Sequence, residues 1–404
     1  MPENKRLTQR APRARGPVLA LLGGLISLPC HAALSDTFQP YVSAAYAYDD
    51  NLLRLPENSV YGPVQSDTIR SVIAGLSFER PVGRQVFSGS VQASKVSFNH
   101  FSQLDYTGKD ASLQWQWQLG NRLSGTAGAS YSETLVPFTD YHSADQNLRT
   151  RRGDYVSGAW RFLSDWQVRG RYSKDRFSYD LQSQRSLDRD ETNGVIGVDY
   201  LGSNGSSVGL QFTRQKGDYP HPVVLLGYSF DPSYTQDQVQ LKVLWNLGAT
   251  QLEFLGGHAR RSHQVLAERD ASGSNGRATA NWAALGALSF NASLWREFSA
   301  FEGGTVSYSL NKGASVGATW VPTAKIKTEL KYRHERREFP GLVSGASVLD
   351  GSDLTRGAVA SVQYSPRNNM QLTLSATHDT RSATSGISSA YRANGASLSA
   401  TVQF

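Results

Sequence analysis

The chain has 404 residues, of which 39% are hydrophobic and 19% charged, with a single Cys and a formal net charge of +7. An apolar share close to that of ordinary folded proteins excludes wholesale disorder. Mean hydropathy is −0.41. Beyond residue 33 no apolar run approaches the roughly 18 residues of a spanning helix, which excludes a helical membrane protein.

The N-terminus has the pattern of an export signal. A basic region up to Arg15 precedes an apolar core from Pro17 to Pro29, and Cys30-His31-Ala32 supplies small residues at the third-last and last positions before a cut. We predict that residues 1–32 are a cleaved signal peptide and that 33–404 form the mature protein. Acylation at Cys30 is the alternative, which the preceding Leu-Pro disfavours because it makes no lipobox.

Cleavage changes the charge and the redox chemistry of the chain. It removes five basic residues and Glu3, which leaves a net charge of +3 and takes away the main support for nucleic-acid binding. It also removes the only Cys, so an exported protein of this length must fold without a disulfide. A closed, fully hydrogen-bonded barrel meets that requirement.

Alternation of apolar and polar residues along the mature chain predicts β-strands. In Gln238–Leu247, Ser112–Leu119, Asn369–Asp379 and Lys325–Glu335, successive side chains alternate between apolar and polar character. A soluble sandwich would give the same pattern. Segments of 10–15 residues recur about every 20 residues without helical stretches between them, which favours an all-β transmembrane barrel.

The pattern predicts eighteen antiparallel strands, with sixteen as the second choice. An even count places both termini on the periplasmic side. The least certain division lies within 277–301, which reads as one long strand or two short ones. The predicted strands cover residues 38–50, 67–80, 84–98, 106–119, 122–134, 150–163, 166–180, 190–202, 206–217, 234–247, 250–263, 277–285, 287–301, 304–320, 324–338, 353–365, 369–381 and 390–404.

Turns and aromatic residues support a membrane barrel. Short turns such as Gly120-Asn121 and Gly248-Ala249 alternate with long loops, and aromatic residues stand near the short turns, as in an aromatic girdle. We expect the segment 135–149 to fold into the lumen. The girdle residues are Trp160, Trp245, Trp320 and Tyr364. The predicted long loops lie near 51–67, 135–149, 218–233, 264–275 and 339–353.

The last strand carries a pattern of its own. Leu398, Ala400, Val402 and Phe404 alternate with polar residues, and Phe404 is terminal. This resembles the C-terminal strand signal of bacterial outer-membrane barrels that the barrel-assembly machinery recognises. The expected location is therefore the outer membrane of a bacterial cell, with outer-membrane lipids around the barrel.

An acidic cluster follows the first strand. Asp49, Asp50 and Asn51 offer three oxygen-bearing side chains, which would suit Ca²⁺. The same residue types form turns by bonding to nearby backbone groups. We favour the turn and expect no metal and no cofactor.

Two motifs resemble a known family. Tyr46–Pro56 contains Tyr48, Asp49, Asp50 and Asn51, and Gly317–Ile326 contains Trp320, Pro322 and Thr323. With the export signal and Phe404, they are similar to the EpsL-type outer-membrane proteins of exosortase-associated exopolysaccharide biosynthesis. The resemblance implies a barrel that takes part in exopolysaccharide export, with the polymer and periplasmic or inner-membrane export proteins as partners.

The polar strand face supplies the candidate site. Mixed charges among Gln and Ser would suit a hydrated channel for a hydroxyl-rich polymer, whereas a single-sign ring would select simple ions. The predicted lumen residues are Arg161, Arg169, Arg171, Asp175, Asp199, Gln211, Lys242, Lys327, Glu329, Lys331, Arg333 and Glu335.

Three functions fit these patterns. The first is a passive conduit or assembly component for exopolysaccharide export. The second is a general or substrate-specific porin for small solutes, and the third is a structural or adhesive surface barrel. An enzyme is not expected, because the seven histidines of the mature chain are scattered and match no motif of an outer-membrane hydrolase.

Overall fold

The structure is a computed structural model that describes residues 37–57, 59, 62–225, 228–265, 270–300, 308–344, 347–384 and 388–404. The predicted signal peptide, residues 1–32, lies outside the described residues. Within the described ranges almost all regular structure is β-strand. Two short 3₁₀ turns, Ser102–Leu104 and Gln182–Leu187, are the described helical segments, and neither has the length or the apolar character to cross a bilayer as a helix.

The described part of the chain forms β-strands that pair with their neighbours in antiparallel orientation. In chain order they are β1 Phe38–Asp49, β2 Asp67–Val82, β3 Gln85–Phe98, β4 Tyr106–Leu119, β5 Leu123–Leu135, β6 Leu148–Arg161, β7 Trp166–Tyr179, β8 Arg189–Leu201, β9 Ser207–Asp218, β10 Val223–Leu225, β11 Tyr228–Phe230, β12 Tyr234–Leu247, β13 Thr250–His263, β14 Ala271–Leu285, β15 Leu288–Ala300, β16 Tyr308–Thr323, β17 Ile326–Ser344, β18 Ser347–Arg367, β19 Met370–Ala383 and β20 Tyr391–Gln403.

Eighteen of these strands close into one barrel. Each pairs with its neighbours along the chain, β9 pairs with β12, and β1 pairs with β20 from Tyr41↔Gln403 to Asp49↔Gly395. The strands β10 and β11 form a separate small hairpin in the segment between β9 and β12. Closure leaves no sheet edge unpaired, which is what a hydrocarbon environment demands. The predicted count of eighteen is confirmed.

Three segments depart most from the predicted strands and loops. The segment 277–301 forms two strands, β14 and β15, and β14 begins already at Ala271. The long loop expected at 339–353 is wrong, because β17 continues to Ser344 and β18 begins at Ser347 with a register shift between Phe339 and Leu342. The segment 219–233 contains the unexpected β10–β11 hairpin.

The barrel is apolar on the outside. Leu294, Val316 and Leu330, on three neighbouring strands, are each more than half exposed, and the alternate positions carry polar and charged side chains. The girdle residues Trp160, Trp245, Trp320 and Tyr364 all lie on this exposed outer face. Because side chains alternate across a strand, the polar set faces the lumen.

The short turns and the long loops lie at opposite ends of the barrel. Two-residue turns such as Gly248-Ala249 join strands at one end, where Thr323 accepts hydrogen bonds from the backbone N–H groups of Lys325 and Ile326. The segments 50–66, 136–147 and 219–233 lie at the other end. The chain termini of the barrel belong to the short-turn end, where the Phe404 N–H donates to the Pro40 carbonyl at 2.8 Å.

A small apolar core lies at the long-loop end. Leu52, Leu53 and Leu55 from the β1–β2 segment pack with Phe101 and Leu104 from the β3–β4 segment, and with Val96, Phe98 and Leu135 from the strand ends. This cluster fixes two of the long loops to the wall. Val136, Tyr179 and Leu187 form a second, smaller apolar cluster at the same end. Most other described inward positions of the strands are polar, which agrees with the negative mean hydropathy of the chain.

Candidate functional site

All twelve predicted lumen residues occupy inward positions of the strands. Several have exposed apolar residues of the outer face as neighbours along the chain, such as Val198 and Tyr200 on either side of inward-facing Asp199. The placement on the inner face agrees with the predicted alternation. Contact of these residues with a polysaccharide stays a prediction.

Four of them meet in one cluster on β7, β8, β9 and β12. Asp199 is fully buried; it accepts a hydrogen bond from Arg169 Nε at 2.8 Å, and Lys242 Nζ lies 3.7 Å from it. Arg169 also donates to Gln211 Oε1 at 2.7 Å, and Gln211 donates to Gln240 at 3.0 Å. A buried carboxylate is thus held between two cations, which fixes the cluster on the wall.

The predicted residues of β17 form a second group. Lys327 and Glu329 pair at 2.6 Å, and Arg333 and Glu335 pair at 2.6 Å. Glu335 also accepts a hydrogen bond from the indole N–H of Trp295 at 2.8 Å. Four strands separate this group from the β7–β12 cluster, so the lumen residues do not converge on one site.

The remaining predicted residues lie outside the β7–β12 cluster and the two ion pairs of β17. Asp175 pairs with Arg151 at 2.8 Å, and the guanidinium of Arg171 lies over the Tyr155 ring at 4.4 Å. Arg161 ends β6 at the short-turn side, and Lys331 lies between the two ion pairs of β17. The pairing of opposite charges, more than any ring of one sign, characterises the inner wall.

The segment 136–147, which we call the crossing loop, extends across the lumen. It connects β5 to β6, and β17 lies half-way round the eighteen-strand ring from β6. Asp140 of this loop nevertheless accepts hydrogen bonds from Arg337 of β17 at 2.9 and 3.1 Å and from Arg381 of β19 at 3.0 Å. The prediction that the 135–149 segment folds into the lumen is confirmed.

The anchor on the far wall is a buried charge network. Arg337 also donates to Asp353 of β18 at 2.6 and 3.0 Å, and Arg381 donates to the backbone carbonyl of Thr139 in the crossing loop. Burial would raise the pKa of Asp140, but Arg337 and Arg381 outweigh it and lower the pKa to about 2. Asp140 is therefore ionised, and the loop is held to the wall at neutral pH.

The acidic motif after β1 forms a compact loop of its own. Asp49 accepts the Asn51 N–H at 2.9 Å and a bidentate pair from Arg54 at 2.8 Å, and Asn51 bonds both the N–H and the carbonyl of Leu55. Arg54 has a φ of 56°, which is uncommon for a residue with a side chain. The ion pair with Asp49 helps to hold this backbone conformation.

This motif is tied to the last strand. Asp50 accepts hydrogen bonds from the backbone and side chain of Asn394, each at 2.6 Å, and Asn51 donates to the Arg392 carbonyl at 3.0 Å. The turn interpretation predicts the local bonds of Asp49 and Asn51 but not these bonds to the last strand. In the described part of the chain, no group of three His, Cys, Asp or Glu side chains is placed to hold a metal ion.

The crossing loop packs against the segment after β1 that contains the acidic motif. His142 Nδ1 lies 3.0 Å from the Leu53 carbonyl, and Phe138 and Ala144 pack on the apolar cluster that contains Leu53. Burial lowers the pKa of His142, and the positive charges of Arg381 and Arg54 act in the same direction, against the Leu53 carbonyl and Asp140. His142 is therefore neutral at pH 7 and donates to Leu53.

Other motif residues lie away from the lumen. Tyr48 and Trp320 are exposed on the outer face, and Pro322 and Thr323 are the last residues of β16, directly before the short turn Ala324-Lys325. Leu398 and Phe404 are exposed on the outer face of β20, and Ala400 and Val402 continue the same face. The C-terminal residues thus form part of the closing strand pair of the barrel.

Sequence reasoning missed the anchor of the crossing loop. Arg337 continues the inward alternation of β17 by one further step beyond Glu335, so its lumen position could have been found from the pattern. Asp140, Asp353 and Arg381 carry no local signal of their partnership. Their residue numbers differ by up to 241, and only the closed ring brings them together.

Comparison with known proteins supports the class of fold. The structure is similar to OccK2 (OpdF) of Pseudomonas aeruginosa, solved alone and in complex with glucuronate. For both structures the TM-score is 0.51 and identity is 11%, covering 91% of this chain and 98% of that chain. It is also similar to a BenF-like porin of Pseudomonas fluorescens Pf-5, with a TM-score of 0.50, 10% identity and coverage of 91% and 99%.

The chain is an outer-membrane β-barrel. No family model matches it, and no curated protein is similar to it in sequence. At 10–11% identity the solved porins establish the fold of this barrel, and its location in the bacterial outer membrane follows from that fold. The barrel architecture of these porins is what the apolar outer face and the polar lumen had already indicated.

Proposed function

We propose that this barrel is a passive channel for small hydrophilic solutes, whose size limit is set by the crossing loop. The observation that carries the proposal is the attachment of Asp140 to Arg337 and Arg381 on the opposite wall. An unobstructed eighteen-strand barrel would be roughly 35 Å across between backbones, from a strand spacing of about 4.8 Å and a tilt of about 40°. A loop held across such a lumen restricts what can pass.

The charge of the inner wall points to uncharged or zwitterionic solutes such as small sugars. Arg169, Arg333 and Arg337 each pair with a carboxylate at 2.6–2.8 Å, and further inward pairs behave in the same way. Opposite charges at such distances largely cancel one another's field, and among the described inward residues no single-sign ring is formed that would favour one type of ion. The glucuronate bound to OccK2 is a small sugar acid, which supports a small-solute channel as the class.

Exopolysaccharide export is the competing function. The motifs that resemble the EpsL-type proteins support it, and they lie in the loop after β1 and in the turn before β17. The crossing loop weighs against it, because a polymer chain needs a continuous wide path. The adhesive-surface alternative predicts that deletions in the loops near 218–233 or 264–275 abolish surface attachment and leave conductance unchanged.

Liposome swelling with a graded series of neutral sugars tests the proposal. We expect glucose and sucrose to enter rapidly, a hexasaccharide to enter slowly, and the reversal potential in a KCl gradient to lie close to zero. Asp140→Asn should admit the hexasaccharide faster, whereas Asp145→Asn on the same loop should not, since Asp145 bonds only Ser143 nearby. Exclusion of glucose, with conductance blocked only by long oligosaccharides, would favour polymer export instead.

A further inference from the structure

The outer wall carries a row of cations at one edge of the apolar band. Arg296 of β15 stands opposite Lys312 of β16, and Lys312 stands opposite Arg336 of β17. On β18, Arg356 stands opposite His334, one step closer to the membrane. We call Arg296, Lys312, Arg336 and Arg356 the cationic row. Directly opposed side chains in an antiparallel pair are about 5 Å apart, where like charges destabilise the sheet.

The row has too few carboxylates to neutralise it. Glu338 accepts hydrogen bonds from Lys312 Nζ at 2.8 Å and lies 3.8 Å from Arg336 Nε. Among the described residues, no other carboxylate makes an ion pair with the four cations of the row. Arg336 keeps 59% and Lys312 42% of their side-chain surface exposed. With four cations and one carboxylate, the row carries a net charge of +3, which an anion from outside the chain would neutralise.

The position of the row along the membrane normal indicates the source of that anion. Lys312 and the girdle residue Trp320 are on the same face of β16, eight residues apart, which corresponds to roughly 26 Å along a strand. With a strand tilt of about 40°, the separation along the membrane normal is about 20 Å, close to the apolar band of about 25 Å. Leu294, Val316 and Leu330, all highly exposed, fill the face below the row. The cations are thus level with the lipid headgroups of the leaflet on the long-loop side.

We propose that the cationic row binds the phosphate of an anionic lipid in that leaflet. The acyl chains lie against the apolar face of β15–β17, and the phosphate oxygens accept hydrogen bonds from Lys312 and Arg336. Guanidinium groups and ammonium groups are the side chains that bind phosphate best, and the bound phosphate offsets the mutual repulsion of the row. This inference concerns the outer wall and does not depend on what passes through the lumen.

Native mass spectrometry of the full mature barrel in detergent, with added phosphatidylglycerol or phosphatidylcholine, tests the proposal. We expect tighter binding of phosphatidylglycerol. Because each cation near an anionic lipid contributes about a fivefold gain in affinity, Lys312→Gln with Arg336→Gln should weaken phosphatidylglycerol binding roughly 10- to 30-fold. The matched control is Lys109→Gln with Arg214→Gln, which removes two outward cations that already pair with Glu133 and Asp237.

Three results would overturn the proposal. An equal loss of binding in the test and control variants would show general charge attraction. Equal stabilisation of the barrel by inorganic phosphate would show a free-anion site in place of a lipid site. Glu338→Gln removes the single carboxylate of the row and should strengthen phosphatidylglycerol binding; unchanged or weaker binding in that variant contradicts the proposal even if the double variant fails to fold.

Discussion

The attachment of the crossing loop gives the sharpest test of the architecture. Asp140→Asn removes one negative charge and keeps the size of the side chain. Asp140 accepts three hydrogen bonds from two guanidinium groups at 2.9–3.1 Å. Asp353 remains beside both Arg337 and Arg381, so the wall itself keeps a counter-charge after the substitution.

The expected magnitude follows from those bonds. A hydrogen bond to a charged group contributes about 1.5–3 kcal/mol net, and a neutral amide keeps part of it. We therefore expect the free energy of loop docking to fall by about 3 kcal/mol, which changes the ratio of docked to undocked loop by roughly 100-fold. Single-channel recordings in planar bilayers should then show a state of higher conductance that is rare in the unsubstituted barrel.

The control for this experiment is a substitution of another aspartate on the same loop. Asp145→Asn makes the same charge change three residues before β6 begins at Leu148, but Asp145 contacts only Ser143 among the hydrogen bonds of the loop. It should leave conductance unchanged. If Asp140→Asn gives the same conductance and the same sugar size limit as the unsubstituted barrel, the crossing loop does not restrict the pore.

Three further predictions concern pH, loop stability and assembly. The pKa of His142 is lowered in the folded barrel, so the contribution of His142 to loop docking is present above about pH 6.5 and is lost as the pH falls through the pKa that His142 has in the folded state. Conductance should therefore rise on acidification, and His142→Gln should remove that rise. Arg54→Ala leaves the buried Asp49 carboxylate without its cation and should cost about 3–5 kcal/mol, measured by urea unfolding, with Arg54→Lys costing less. Phe404→Ala should leave the refolded barrel stable, since the side chain is 72% exposed, yet lower its amount in the outer membrane of cells; normal cellular levels would contradict its role as an assembly signal.

The strands were predictable from sequence because their signal is local. In β12, β13 and β4 the predicted bounds match the structure residue for residue, since each alternates cleanly between turn residues. The ends of β17 and β18 were missed because Phe339-Pro340-Gly341 breaks the alternation, and the sheet absorbs this break as a register shift. A bulge of this kind reads as a loop in the sequence.

The candidate site was predictable only in part. The inward position of residues such as Arg169 and Asp199 follows from the alternation of side chains along each strand. Their pairing depends on which strands become neighbours and in what register. Likewise, the segment 135–149 could be identified as a long loop, while its attachment to Arg381 depended on the circumference of the closed ring.

The sequence by itself determined that this chain becomes a barrel, because a period of two with one apolar face leaves a membrane-embedded chain no other way to pair its backbone. Only the tertiary structure decided where the crossing loop is attached and that the charges of the lumen are paired. Those features join residues on opposite walls, and such distances are set by ring closure and strand tilt, which no local pattern of residues encodes.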